Sequence, residues 1–168
     1  MTYFAAALAR TADGWTGREV DLNEVEDLES LAEELRDLAE EDGRPDGPAL
    51  LLLEEDDEYV GVVRVDAGDL DEPRVFLSDR RAVLASEVAA MLWEEAEPDS
   101  DEVEDDEDEG VRPVAEPVGD PALLADLGTP SEVLLELCAE EGLLPADVLS
   151  GIAERAGFLE LLDSLRDG

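Results

Sequence analysis

YFAAALARTADGWTGREVDL, residues 3–22, is the stretch on which the fold turns. Its first half sets Phe4, Ala6 and Leu8 on one side of an extended chain and Tyr3, Ala5 and Ala7 on the other. Asp13-Gly14 then interrupts, and Trp15 opens a second short apolar-polar run that ends near Leu22. Apolar runs flanking a D-G pair predict a β-hairpin, because glycine takes the positive φ that a tight turn between twisted strands demands. A chain that begins with a hairpin is committed to an antiparallel sheet, and the remaining segments must extend that sheet or cover it.

Both kinds follow. Leu28, Leu31, Leu35 and Leu38 step by three and four residues, which puts one apolar stripe on an otherwise acidic helix. Asn23 or Asp27 is positioned to cap it, and Gly43 to end it. Residues 44–48, RPDGP, read as loop. The continuous apolar run 50–53 and the valine-rich run 59–65 flank Asp56-Asp57 and predict a second hairpin. A turn-rich link, 66–73, leads to a short strand at 74–77, after which Ser78-Asp79 opens a helix carrying Leu84, Val88, Met91 and Leu92 on one face. The predicted order is ββαβββα, an α+β fold with an antiparallel sheet of about five strands.

From residue 94 to 110, 12 of 17 residues are acidic and none is basic. Like charges at nearly every step favour a solvated, self-repelling tether without regular structure. Beyond Gly119 the texture becomes short helices set off by Gly and Pro. Thr129-Pro130-Ser131-Glu132 has the form of a capping box with Pro at the first helical position. Gly142 stops that helix, Pro145 starts the next and Gly157 stops it. Val133, Leu134, Leu137 and Cys138 make one packing face, Val148, Leu149 and Ile152 another, and Phe158, Leu161, Leu162 and Leu165 a third. The expected organisation is an α+β domain over 1–95, an acidic linker over 96–117, and a segment of three or four short helices over 118–168 that can pack on the first domain.

The charge narrows the function. Arg supplies all 11 basic residues, Lys and His are absent, and 49 acids bring the chain to −38. Taking away the 12 acids of the tether still leaves −26 on the rest. Such a field repels nucleic acid, whose affinity for proteins comes from neutralised phosphates, and it repels anionic membrane surfaces. A basic protein is its natural complement. No apolar run nears the roughly 20 residues of a membrane helix. The short run at the start has no basic residues before it, and the single Cys138 fits a reducing compartment, so the expected location is cytoplasmic.

Chemistry-bearing patterns are few. Without His, the commonest general base and zinc ligand is missing, and without Lys a P-loop cannot be written. Asp105, Glu107, Glu109, Gly110 and Glu116 fall at positions one, three, five, six and twelve of an EF-hand loop. Arg112 at the apolar eighth position and Pro113 after it argue against calcium, and the tether is the stronger reading. A two-carboxylate hydrolase stays open, since any spacing occurs among 49 acids. Cys138 sits on an apolar helix face and reads as a small buried hydrophobe rather than a thiolate. Trp15 and Trp93 read as core or core edge before interface anchors. No catalytic, cofactor or metal residues are assigned, and no cofactor is expected.

Two quoted stretches carry a resemblance. YFAAALARTADGWTGREVDL and, past the acidic middle, VGDPALLADLGTPSEVLLELCAEEGLLPADVLSGIAERAGF (residues 118–158) resemble the tRNA adenosine deaminase-associated protein family. The resemblance spans nearly the whole chain. It implies proximity to a tRNA adenosine deaminase, by genes if not by contact, and it transfers no functional residue. The chain itself is not that deaminase, which needs three Cys or His zinc ligands where this sequence has one Cys and no His. The expectation is therefore a non-enzymatic acidic accessory protein whose partner is a tRNA adenosine deaminase or another basic protein. The alternatives are an acidic nucleic-acid mimic that occupies basic protein surfaces, and an enzyme working with carboxylates alone.

Overall fold

The computed structural model describes residues 3–11, 14–41, 45–55, 59–65, 74–79, 87–96, 118–139 and 144–167. The opening hairpin is β1, Tyr3–Thr11, and β2, Gly14–Glu19, paired antiparallel from Thr11↔Gly14 to Ala6↔Glu19. Gly14 has φ 130°, the positive value for which the D-G signal was read. A 3-10 turn, Leu22–Glu24, leads into α1, Leu28–Glu41. Of the two candidate caps Asp27 does the work: its carboxylate accepts the Ser30 N–H at 2.9 Å. Gly43 lies outside the described residues.

Strands β3, Pro45–Glu55, and β4, Tyr59–Val65, form the second hairpin, and β5, Arg74–Leu77, pairs with β4. The run that reads as loop at 44–48 is strand from Pro45 onward. Proline is tolerated there because pairing with β4 begins only at Ala49↔Val65, so the missing Pro48 donor breaks no ladder on that side. On the other side the register with β1 shifts between Ala9 and Thr11. Ser78 is tied to the sheet. Its N–H donates to Val60 O, and its hydroxyl accepts the Val60 N–H, each at 2.9 Å. The following helix is described from Glu87 as α2, Glu87–Ala96. The link 66–73, Asp56-Asp57, Leu84, the acidic tether and its EF-hand positions Asp105 to Glu116 lie outside the described residues.

The sheet acquires a sixth, unforeseen strand in β6, Val118–Gly119, and its order is β2-β1-β3-β4-β5-β6, antiparallel throughout. A 3-10 helix, Pro121–Leu127, then α3, Ser131–Ala139, α4, Pro145–Ala156, and α5, Leu159–Asp167, complete the chain. Pro145 and Gly157 bound α4 as the sequence indicates, with Gly157 at φ 97°. The capping box at Thr129 does not form. The first bond of α3 runs from Leu134 N–H to Pro130 O, so Thr129 stands one residue outside the helix. Its own N–H closes the preceding 3-10 turn on Leu124 O, and its buried hydroxyl has no hydrogen-bond partner.

Period-two alternation sorts the strands onto two faces. One face presents Ala5, Ala7, Ala9, Leu51, Leu53, Val63, Val75 and Leu77 to Leu28, Leu31, Leu35 and Leu38 of α1 and to Ala89 and Leu92 of α2. Each of those leucines contributes roughly 1.5–3 kcal/mol by leaving water. The other face presents Ala6, Leu8, Leu50, Leu52, Val60, Val62 and Phe76 to Leu123, Leu124, Leu134, Leu149, Ile152, Phe158 and Leu162. The sheet is thus covered twice, which is why 50–53 reads as unbroken leucine rather than alternation.

Candidate functional site

Three arginines are tied to acids where the C-terminal segment meets the sheet, while Arg10 and Arg155 stand exposed. Arg64, next to the end of β4, is only 7% exposed; it donates to Leu123 O and forms a two-pronged pair with Asp126 at 2.6 and 3.0 Å. Arg74, its cross-strand neighbour on β5, donates to Asp120 at 3.2 Å. Arg166 of α5 grips Glu54 with both terminal nitrogens, at 2.8 and 3.2 Å, and lies 4.5 Å from the centroid of the Phe4 ring. All three pairs fasten the C-terminal layer to the sheet.

Two pKa shifts follow from these contacts. The hydrogen bond from Arg64 holds the Asp126 carboxyl below its ordinary 3.8, against a smaller opposing effect of burial. The Glu54 hydrogen bond raises Arg166 further above its ordinary range.

What the surface keeps is acid. On α1, Glu29, Glu33, Glu34 and Asp37 are exposed opposite the leucine stripe; Glu132, Glu136, Asp147, Glu154, Glu160 and Asp163 are exposed on the C-terminal helices. Where the chain leaves β2, Tyr3, Ala5, Glu19, Val20 and Asp21 line an open groove of about 400 Å³. Its hydroxyl is already used: Tyr3 donates to Asp21 Oδ1 at 3.0 Å and accepts the Leu22 N–H at 2.7 Å. The groove therefore sets the Asp21 carboxylate, already engaged by Tyr3, beside an apolar floor of Ala5 and Val20. Sequence reasoning passed over it, because Tyr3 and Asp21 meet only through the β1–β2 register.

The residues singled out in the sequence fall elsewhere. Trp15 is half-buried and meets Phe158 edge-on, with ring centroids 4.8 Å apart, so it belongs to the core edge. Trp93 falls on α2; its side chain lies outside the described residues. Cys138 packs beside the second core, and burial pushes its thiol up to about 12. A thiol so held is not a nucleophile near neutrality. Among the described residues no group of three or more Cys, Asp or Glu is arranged to hold a metal ion, and no helix is long and apolar enough to cross a membrane.

Fold and surface together define a class: a small α+β protein, its antiparallel sheet sandwiched between helical layers and its surface dominated by carboxylates. Within that class the chain belongs to the Rv3753c-like tRNA adenosine deaminase-associated protein family, whose model matches residues 3–159. It is similar to Protein Rv3753c of Mycobacterium tuberculosis, with 31% identity over 166 residues, 98% of this chain and 87% of that protein. No solved structure matches it.

Proposed function

We propose that this protein is a non-enzymatic accessory subunit that binds a tRNA adenosine deaminase and modulates it. The family description supports the choice of partner. The observation that carries the mode of binding is the division of charge: Arg64, Arg74 and Arg166 are each neutralised by an acid of the chain, and the exposed helix faces are acidic. A surface of that sign is attracted to the basic groove with which a deaminase holds tRNA, and it repels the tRNA itself. Association is then fast and salt-sensitive, and tRNA competes with it.

Titrating the purified protein into its cognate deaminase, with and without tRNA, tests this. Binding that is lost when tRNA is added, together with slower deamination when the protein is in excess, supports contact at the groove. Binding indifferent to tRNA points to a subunit role elsewhere on the enzyme. Absence of any association at low salt with micromolar components rejects the partnership.

A further inference from the structure

At one side the sheet ends in β6, two residues long, and at the other in β2, six residues long. Val20 N–H donates to Ala5 O at 2.9 Å, and the two residues stand opposite each other in the register that pairs Ala6 with Glu19. Bonded and non-bonded pairs alternate along an antiparallel ladder. Arg18 and Thr16 therefore turn their backbone groups toward β1, while Glu19, Gly17 and Trp15 turn theirs outward. The outward N–H and C=O groups of those three residues are unpaired among the described residues. A row of this kind is a template for another strand, and its spacing suits an extended peptide. The strand is also held still. Trp15 meets Phe158 edge-on, and a Cβ on Gly17 would stand 3.4 Å from Leu161, so the C-terminal layer braces one face of the strand.

Charge selects the occupant. Glu19, paired with Ala6 at the end of β2, is exposed on this edge. A strand added beside β2 sets one of its side chains across from Glu19, whose exposed carboxylate suits the head of an Arg or Lys. A second copy of this chain fits poorly, because it would bring −38 against −38.

We propose that the β2 edge is a docking site for an extended, Arg- or Lys-bearing segment of a partner protein. The segment adds as a further strand beside β2 and sets one basic side chain across from Glu19. This specifies local chemistry that the accessory role leaves open, and it holds whichever protein carries the segment. The probe is a short synthetic peptide alternating valine and arginine, compared with a twin N-methylated at every second residue, which keeps the charge and loses the donors. In the free protein the amides of Trp15, Gly17 and Glu19 exchange readily with solvent, and those of Thr16, Arg18 and Val20 are protected. With the unmodified peptide all six are protected. The methylated twin binds about tenfold or more weakly, the loss of one to two net hydrogen bonds, and leaves the three outward amides exchanging. Glu19→Lys weakens the peptide without altering exchange in the free protein. Equal binding of the two peptides, or binding that protects none of the three amides, reduces the attraction to diffuse charge and overturns the proposal. Protection of those amides by self-association, with no peptide present, overturns it as well.

Discussion

With valines before and after it in β4, Arg64 is an uneasy residue for a sheet, and Arg74 faces it directly across the ladder to β5. Like charges placed opposite each other destabilise a strand pair unless each is answered. Asp126 and Asp120 answer them from the C-terminal segment. Replacing Arg64 by Met should cost about 2 kcal/mol near neutral pH in urea unfolding, less than for a fully buried pair because the Asp126 side chain is 62% exposed and can rehydrate. The sign with pH is fixed by the lowered Asp126 pKa. A depressed carboxyl contributes its stability above its unfolded value, here 3.8, and loses it as pH falls through the lower folded value. The gap between wild type and Arg64→Met should therefore be full near neutrality and shrink below pH 3.8; a gap that widens there would contradict the pairing. Cys138 gives an independent check at the same scale. Its thiol, raised to about 12 by burial, should resist iodoacetamide in the folded protein well above its ordinary value of 9.0 and react at once in denaturant. Rapid native labelling would mean the thiol is not held beside the core.

Two glycines show how the elements are joined. Gly157 ends α4 at φ 97° with open space where a Cβ would stand, whereas Gly119 of β6, at φ 101°, would drive a Cβ to 2.9 Å from Phe76 Cα and into the Val75 carbonyl. Ala at 157 should cost only the left-handed backbone penalty, about 1–2 kcal/mol. Ala at 119 adds that clash and should cost more, releasing β6 from β5; equal losses in chemical denaturation would mean the close approach is absent. Much of this architecture is written locally. The D-G turn, the leucine stripe of α1, the two-run hairpin of β3 and β4, and Pro145 with Gly157 around α4 all act within a few residues, and each is where the sequence puts it. What escapes is set by partners distant in the chain. Val118–Gly119 becomes a strand only because β5 offers an edge, residues 45–48 extend β3 only because β1 is long enough to receive them, and Thr129 yields its N–H to Leu124 before it can cap α3. The groove at Glu19 and Asp21 is illegible for a related reason: among 49 acids nothing local marks the two that a strand register brings beside Tyr3 and Ala5.

At the scale of the whole molecule, charge and fold are in tension. The two helical layers bury enough leucine, valine and alanine to hold the sheet from both sides, yet the chain carries −38 and the described helix faces are lined with acids. Compaction of like charge costs free energy that the expanded chain avoids. Local pairing cannot offset it, because 11 arginines face 49 acids and three of those arginines serve the Arg64, Arg74 and Arg166 clamps. Salt screens the repulsion over about 10 Å at 0.1 M, a distance shorter than the span between the helical layers but longer than the spacing of acids along one exposed helix face. The same salt weakens the clamps only slightly, since Arg64 and the Arg166–Glu54 pair are largely shielded from it. The balance therefore favours screening, and the melting temperature should climb from low to moderate sodium chloride before it levels off. A neutral osmolyte at matched osmolarity separates screening from solvent exclusion, because it cannot reproduce the early part of the rise. If the melting temperature is flat or falls across that range, the exposed carboxylates are not the destabilising element of this fold, and the electrostatic account of its surface fails with them.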